Sequence, residues 1–67
     1  MSVEYKKLWI LLIEKGMTKP QLRKEANLSP ATLTKLNKNE YVSMEILVRI
    51  CKTLQCNIGD IVDAADC

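Results

Sequence analysis

The sequence predicts an all-α fold, and three observations predict it. Hydrophobic residues make up 48% of the 67 residues, but aromatics only 4% and Phe is absent, so the aromatic and β-branched runs that mark strands are missing. Helix punctuation recurs along the chain, at Gly16, Thr18, Ser29-Pro30, Ser43 and Asn57. Between these marks apolar residues return at helical spacing, as in Met44, Leu47, Cys51 and Leu54. A chain of this length makes one domain, 1–67. Its core is thin, because folding at this size buries only about 60% of the surface the unfolded chain exposes.

Five helices are expected in order, at about 3–15, 18–26, 29–38, 43–54 and 57–62, followed by a tail, 63–67. The first stops at Gly16, the residue that most easily takes the left-handed C-terminal conformation. Thr18 then begins a capping box with Gln21, and Pro20 is tolerated in a first turn. This second helix turns Leu22 and Ala26 inward and ends at Asn27, a residue that enters left-handed backbone readily. Ser29 followed by Pro30 is a sharp start for the third helix, which Asn39 closes. Ser43 caps the fourth, and Asn57 caps a short fifth with Asp60 in its first turn. Helices two and three, joined by a short turn, have the helix-turn-helix arrangement.

Composition excludes more than it assigns. There is no His, the commonest general base and metal ligand. Cys51, Cys56 and Cys67 are too few for a zinc cage and form no CxxC pair, so no metal or cofactor is expected. Glu14, Glu25 and Glu45 are interspersed with lysines and read as solvated helix faces, so the chain is not expected to be an enzyme. The apolar run Leu8–Ile13 lacks a cleavage motif and is far short of the roughly 20 residues of a membrane span. A soluble, cytoplasmic protein without a membrane partner is the expectation. Net charge is only +2, but it is unevenly placed. Residues 1–38 carry eight Lys or Arg against three acids, and residues 39–67 two against five. Such a bipolar domain can bring one face to a polyanion.

On a helical wheel of the third helix, Leu33, Leu36 and Ser29 fall on one side. Ala31, Lys35 and Lys38 lie opposite, with Thr34 on the flank. Exposed lysines and threonines are usually only solvated. This face, however, is small at its leading end and cationic behind, which suits close entry into a DNA groove. Ala31 or a threonine methyl can touch a thymine methyl, and Lys35 can donate to guanine. Lys19, with the first amides of the second helix, would stand beside it as a phosphate contact.

"EKGMTKPQLRKEANLSPATLTKLNKNEYVSMEILVRICKTLQCNIGDIV", Glu14 to Val62, resembles the Cro/repressor-type (lambda-repressor-like, XRE-type) helix-turn-helix domains. It is most similar to short stand-alone bacterial and phage members that open with "YKKLW" and close with "CNIGDIV". The resemblance implies a compact five-helix domain that binds double-stranded DNA and regulates transcription, as a repressor and as a homodimer on a palindromic operator. It places the protein in a bacterial cell or a phage-infected host. Carried over residue by residue, it makes Ser29, Pro30, Ala31, Thr32, Thr34 and Lys35 the base-reading residues. Thr18, Lys19, Lys38 and Asn39 become the phosphate contacts. Two departures stand out. Asn27 and Asn39 occupy positions where the family often has glycine, and Leu12 and Asn37 replace a common Arg–Glu pair.

The stretch "LWILLI" is apolar on every side, leaving Trp9 and Ile10 in surplus over what a core needs. Either they contact a second copy, with Ile61 and Val62 as further interface candidates, or the tail folds back over them. A protein-interaction module on the same fold, such as an antitoxin or small anti-activator, is the alternative reading. No feature of the sequence suggests a small-molecule effector.

Overall fold

Four of the described residues hold left-handed backbone, and each ends a helix: Gly16 at φ 67°, Asn27 and Asn39 at φ 57°, and Gln55 at φ 55°. The computed structural model describes residues 2–65. Its helices are α1 (Lys6–Glu14), α2 (Lys19–Glu25), α3 (Pro30–Asn37) and α4 (Met44–Leu54). The same backbone bond closes all four, from an amide to the carbonyl five residues earlier. The pairs are Met17 to Leu12 (2.9 Å), Leu28 to Arg23 (2.8 Å), Glu40 to Lys35 (2.9 Å) and Cys56 to Cys51 (3.0 Å). This closure satisfies terminal carbonyls that the helix itself leaves open, and it requires the left-handed residue. Asn27 and Asn39 therefore do take the conformation for which glycine is the usual choice.

Helix starts are as local as the stops. Thr18 Oγ1 accepts the Gln21 amide at 3.3 Å while Gln21 Oε1 accepts the Thr18 amide at 2.8 Å. Ser29 Oγ accepts the Thr32 amide at 3.1 Å, and Ser43 Oγ accepts that of Ile46 at 3.3 Å. Each bond satisfies a terminal donor and is worth about 1 kcal/mol.

Between these ends lies one core. Leu8 and Leu12 of α1, Leu22 of α2, Leu36 of α3, and Ile50 and Leu54 of α4 are buried, with Tyr5, Leu28 and Ile61 from the connections. Leu33 is only half-buried, so Leu36 alone anchors α3 as a fully buried side chain. None of the described helices is long and apolar enough to cross a membrane.

The expected fifth helix is a correction. Asp60 Oδ2 accepts the Asn57 amide at 3.0 Å and starts a turn, but only a single 3₁₀ turn, Ile58–Asp60, forms. The chain then straightens into a strand. Ser2–Glu4 (β1) and Asp63–Ala65 (β2) pair antiparallel in the register Ser2–Ala65, Val3–Ala64 and Glu4–Asp63. Val3 is thus in a strand, not in the first helix, and the tail is paired through Ala65, while 66–67 lie outside the described residues. It folds back onto Ser2–Glu4 and leaves Ile10 47% exposed. The ladder sets two carboxylates opposite each other at Glu4 and Asp63, an arrangement that repels. Lys7 relieves it, its ammonium lying 3.1 Å from Asp63 and donating to the Gly59 carbonyl at 3.3 Å.

Tyr5 joins the two halves of the chain. Its amide donates to Asn39 Oδ1 at 3.2 Å and its hydroxyl to the Glu40 carbonyl at 2.7 Å. Burial raises the phenol above its ordinary 10.0, and a backbone hydrogen bond from Val42 pulls it partly back. Since the folded state disfavours the phenolate, the contribution to stability is complete below the ordinary value and is lost as pH rises through the higher folded one. Tyr5→Phe should therefore remove an alkaline component from the stability–pH curve while costing about 1 kcal/mol at neutral pH by removing the hydrogen bond to the Glu40 carbonyl. Denaturant titrations of both proteins across the alkaline range check this. The same method distinguishes two glycine substitutions. Gln55→Gly should stabilise by up to about 1 kcal/mol by relieving left-handed strain. Asn39→Gly should destabilise by about 1 kcal/mol, because it also removes the acceptor for the Tyr5 amide.

Candidate nucleic-acid interface

Proline at its first position and the serine cap define where α3 begins, and they also fix its leading surface. Ser29, Pro30, Ala31, Thr34, Lys35 and Lys38 are exposed, whereas Thr32 is half-buried. Their hydroxyls are largely committed. Ser29 Oγ and Thr32 Oγ1 lie 2.9 Å apart and share a hydrogen bond. Thr34 Oγ1 donates to the Pro30 carbonyl at 3.0 Å, so outward it offers a methyl and an acceptor rather than a proton. Of the six base-reading candidates, Lys35 keeps a full set of donors. The rest present a small, mostly apolar leading edge. Lys35 in the last turn and Lys38 at the C-cap also sit where the helix dipole favours cations.

The phosphate candidates divide differently. The α2 capping box takes up the Thr18 and Gln21 amides, and Pro20 has none, so the expected row of free first-turn amides shrinks to that of Lys19. The Lys19 side chain does reach α3, its ammonium donating to Asn37 Oδ1 at 2.7 Å. It also lies over the Trp9 ring, 4.1 Å from the centroid. Asn39 has its side-chain oxygen committed to the Tyr5 amide, leaving its NH₂ group for a phosphate.

Sequence reasoning missed the residues that hold this surface in place. Asn37 ties α3 to α2. Arg49 of α4 braces the turn between them, donating to the Asn27 carbonyl at 3.3 Å while Glu45 holds its other nitrogen at 2.8 Å. The Glu45–Arg49 spacing was a visible signal for the ion pair, but nothing in it pointed to Asn27, 22 residues away.

The interface candidates are also spread. Ile61 is fully buried, so it belongs to the core and has no surface to offer a second copy. Trp9 and Val62 are half-buried against the core, and Ile10 is exposed. Ile13, one turn beyond it and 78% exposed, is the more prominent apolar side chain.

Other chemistry has little to build on. Among the described residues no three His, Cys, Asp or Glu side chains gather as a metal site. Cys51 is buried and Cys56 half-buried, both as free thiols. Burial, with Cys51 beside it, pushes the Cys56 thiol above its ordinary 9.0, which keeps it protonated and a poor nucleophile.

Comparison with known proteins gives the family. The model of a family described as the Cro/C1-type HTH DNA-binding domain matches residues 7–66. Among solved structures the chain is similar to "Crystal structure of transcriptional regulator VanUg, Form II". The two are 47% identical and superpose with a TM-score of 0.91, over 92% of this chain and 83% of that one. No curated protein gives a significant match.

Proposed function

The chain belongs to the Cro/C1-type helix-turn-helix DNA-binding domain family, and from that premise we propose that it is a sequence-specific regulator of transcription that lays α3 in the major groove. The observation that carries this reading is the outer face of α3. It offers Ala31, Thr34, Lys35 and Lys38 to solvent, and among the described residues neither lysine forms an ion pair. Lys7 and Arg49, elsewhere on the surface, are each matched by a carboxylate. The similarity to a protein titled a transcriptional regulator supports the same reading.

Roles follow from the chemistry of each side chain. Lys35 is the donor to base edges, with guanine O6 and N7 as its natural acceptors. Pro30, Ala31 and the Thr34 methyl supply close apolar contact, suited to thymine methyl groups. Ser29 and Thr32 shape the leading turn, their hydroxyls bound mainly to each other and to the backbone. Lys19 and Lys38, with Thr18 and Asn39 beside them, hold backbone phosphates. With so few donors for bases, sequence-dependent DNA shape contributes to specificity. One α3 reads few base pairs, so a homodimer on a palindrome doubles the site. A domain bound across a promoter blocks it by occupancy alone, which favours repression.

A second reading draws on exposed Ile10 and Ile13 of α1, an apolar pair that a protein partner can cover. On that reading the domain is an antitoxin or small anti-activator, and DNA binding is secondary.

Selection of genomic fragments followed by footprinting tests the first reading. It should enrich palindromic sites, with half-site spacing reporting the dimer. Lys35→Ala should lower specific affinity by about 1–3 kcal/mol and relax preference at the contacted base pairs. Lys38→Ala should instead weaken binding to all sequences and reduce the salt slope by about one. Failure to enrich any fragment at low salt would overturn the reading. Capture of one stoichiometric protein, undisturbed by Lys35→Ala, would favour the second.

A further inference from the structure

Lys19 is held differently from Lys7 and Arg49, the cations with carboxylate partners. Its ammonium lies 4.1 Å from the centre of the Trp9 ring and donates to Asn37 Oδ1 at 2.7 Å, and among the described residues no carboxylate is in ion-pair range. Both partners are neutral. A ring face attracts a cation through its quadrupole and an amide oxygen through its dipole, and neither cancels the charge. The ammonium has three donor hydrogens, so one bond to Asn37 leaves two for another acceptor. A lysine side chain is otherwise among the most mobile, and ordering it on binding is costly.

The three groups come from three helices: Trp9 from α1, Lys19 from α2 and Asn37 from the last turn of α3. The charge is therefore fixed relative to the last turn of α3.

We propose that Trp9 and Asn37 are positioning residues for DNA-backbone recognition: they hold the Lys19 ammonium ordered and uncancelled, so that the phosphate it binds sets the register of α3 in the groove. This rests on the DNA-binding reading above. It gives the surplus tryptophan of α1 a role within one chain, and it accounts for an amide, rather than an acid, at position 37. An acid there would neutralise the charge the phosphate needs.

The test is a double-mutant cycle with a labelled duplex of arbitrary sequence, titrated at several salt concentrations. Lys19→Ala should weaken binding and lower the salt slope, and Trp9→Leu or Asn37→Ala should each weaken it about two- to five-fold. Either substitution made in the Lys19→Ala background should add nothing. Trp9→Tyr, which keeps a ring face, should restore most of the loss. Asn37 is exposed, so Asn37→Ala keeps the test independent of any folding defect in Trp9→Leu. As a control, Lys38→Ala should combine additively with either. In the free protein, the Lys19 ε-methylene NMR signal should carry a ring-current shift that Trp9→Leu abolishes and Trp9→Tyr retains. Full additivity of Asn37→Ala and Trp9→Leu with Lys19→Ala would overturn the proposal while leaving DNA binding intact. Absence of binding by the unsubstituted protein would overturn both.

Discussion

Helix α3 buries one side chain completely, Leu36, and that single anchor cannot fix the direction in which the helix points. Polar ties at its two ends supply what the core does not. At the leading end the Ser29 cap and Pro30 set the entry of the chain, and Arg49 holds the turn before it through the Asn27 carbonyl. At the trailing end Asn39 and Glu40 accept hydrogen bonds from Tyr5, and Asn37 accepts one from Lys19. A helix that must insert into a groove has to keep most of its surface free. Holding it by its ends, not by its flank, leaves that surface available.

The same economy shows in the charges. The exposed pairs Lys7–Asp63 and Glu45–Arg49 brace the strand ladder and the turn, at energies that exposed ion pairs keep to about 1 kcal/mol or less. Among the described residues Lys19, Lys35 and Lys38 form no ion pair, so a polyanion is their natural counterion. Net charge of +2 hides this arrangement, because five of the eight acids lie in residues 39–67, which hold only two Lys or Arg. What matters for an approaching duplex is the local field, not the total.

Asparagine at the helix ends shows how one residue can serve two needs. Glycine would adopt left-handed backbone at less strain, but it has no side chain to receive the Tyr5 amide. Asn39 accepts the strain and provides the acceptor, joining the start of α1 to the end of α3. Asn27 meets the same backbone requirement, and there it is the main-chain carbonyl that takes the tie to α4.

Much of this was legible in the sequence because helix signals are local. Thr18 with Gln21, Ser29 with Pro30, Ser43, and the closing Gly16, Asn27 and Asn39 act within a few residues, so they fixed four helices and the outward face of α3 without reference to anything distant. The strand pair was not legible, since Ser2–Glu4 and Asp63–Ala65 have no pattern of their own and become strands only by meeting across nearly the whole chain. The fifth helix failed for the same reason: its first turn closed, with Asp60 accepting the Asn57 amide, but the next residues pair as a strand and it ends at one turn. Trp9, Lys19 and Asn37 were likewise unrelated letters until three helices converged on them. Backbone hydrogen bonding over a few residues is encoded where it occurs, whereas a contact between distant side chains exists only once packing has chosen which surfaces face each other.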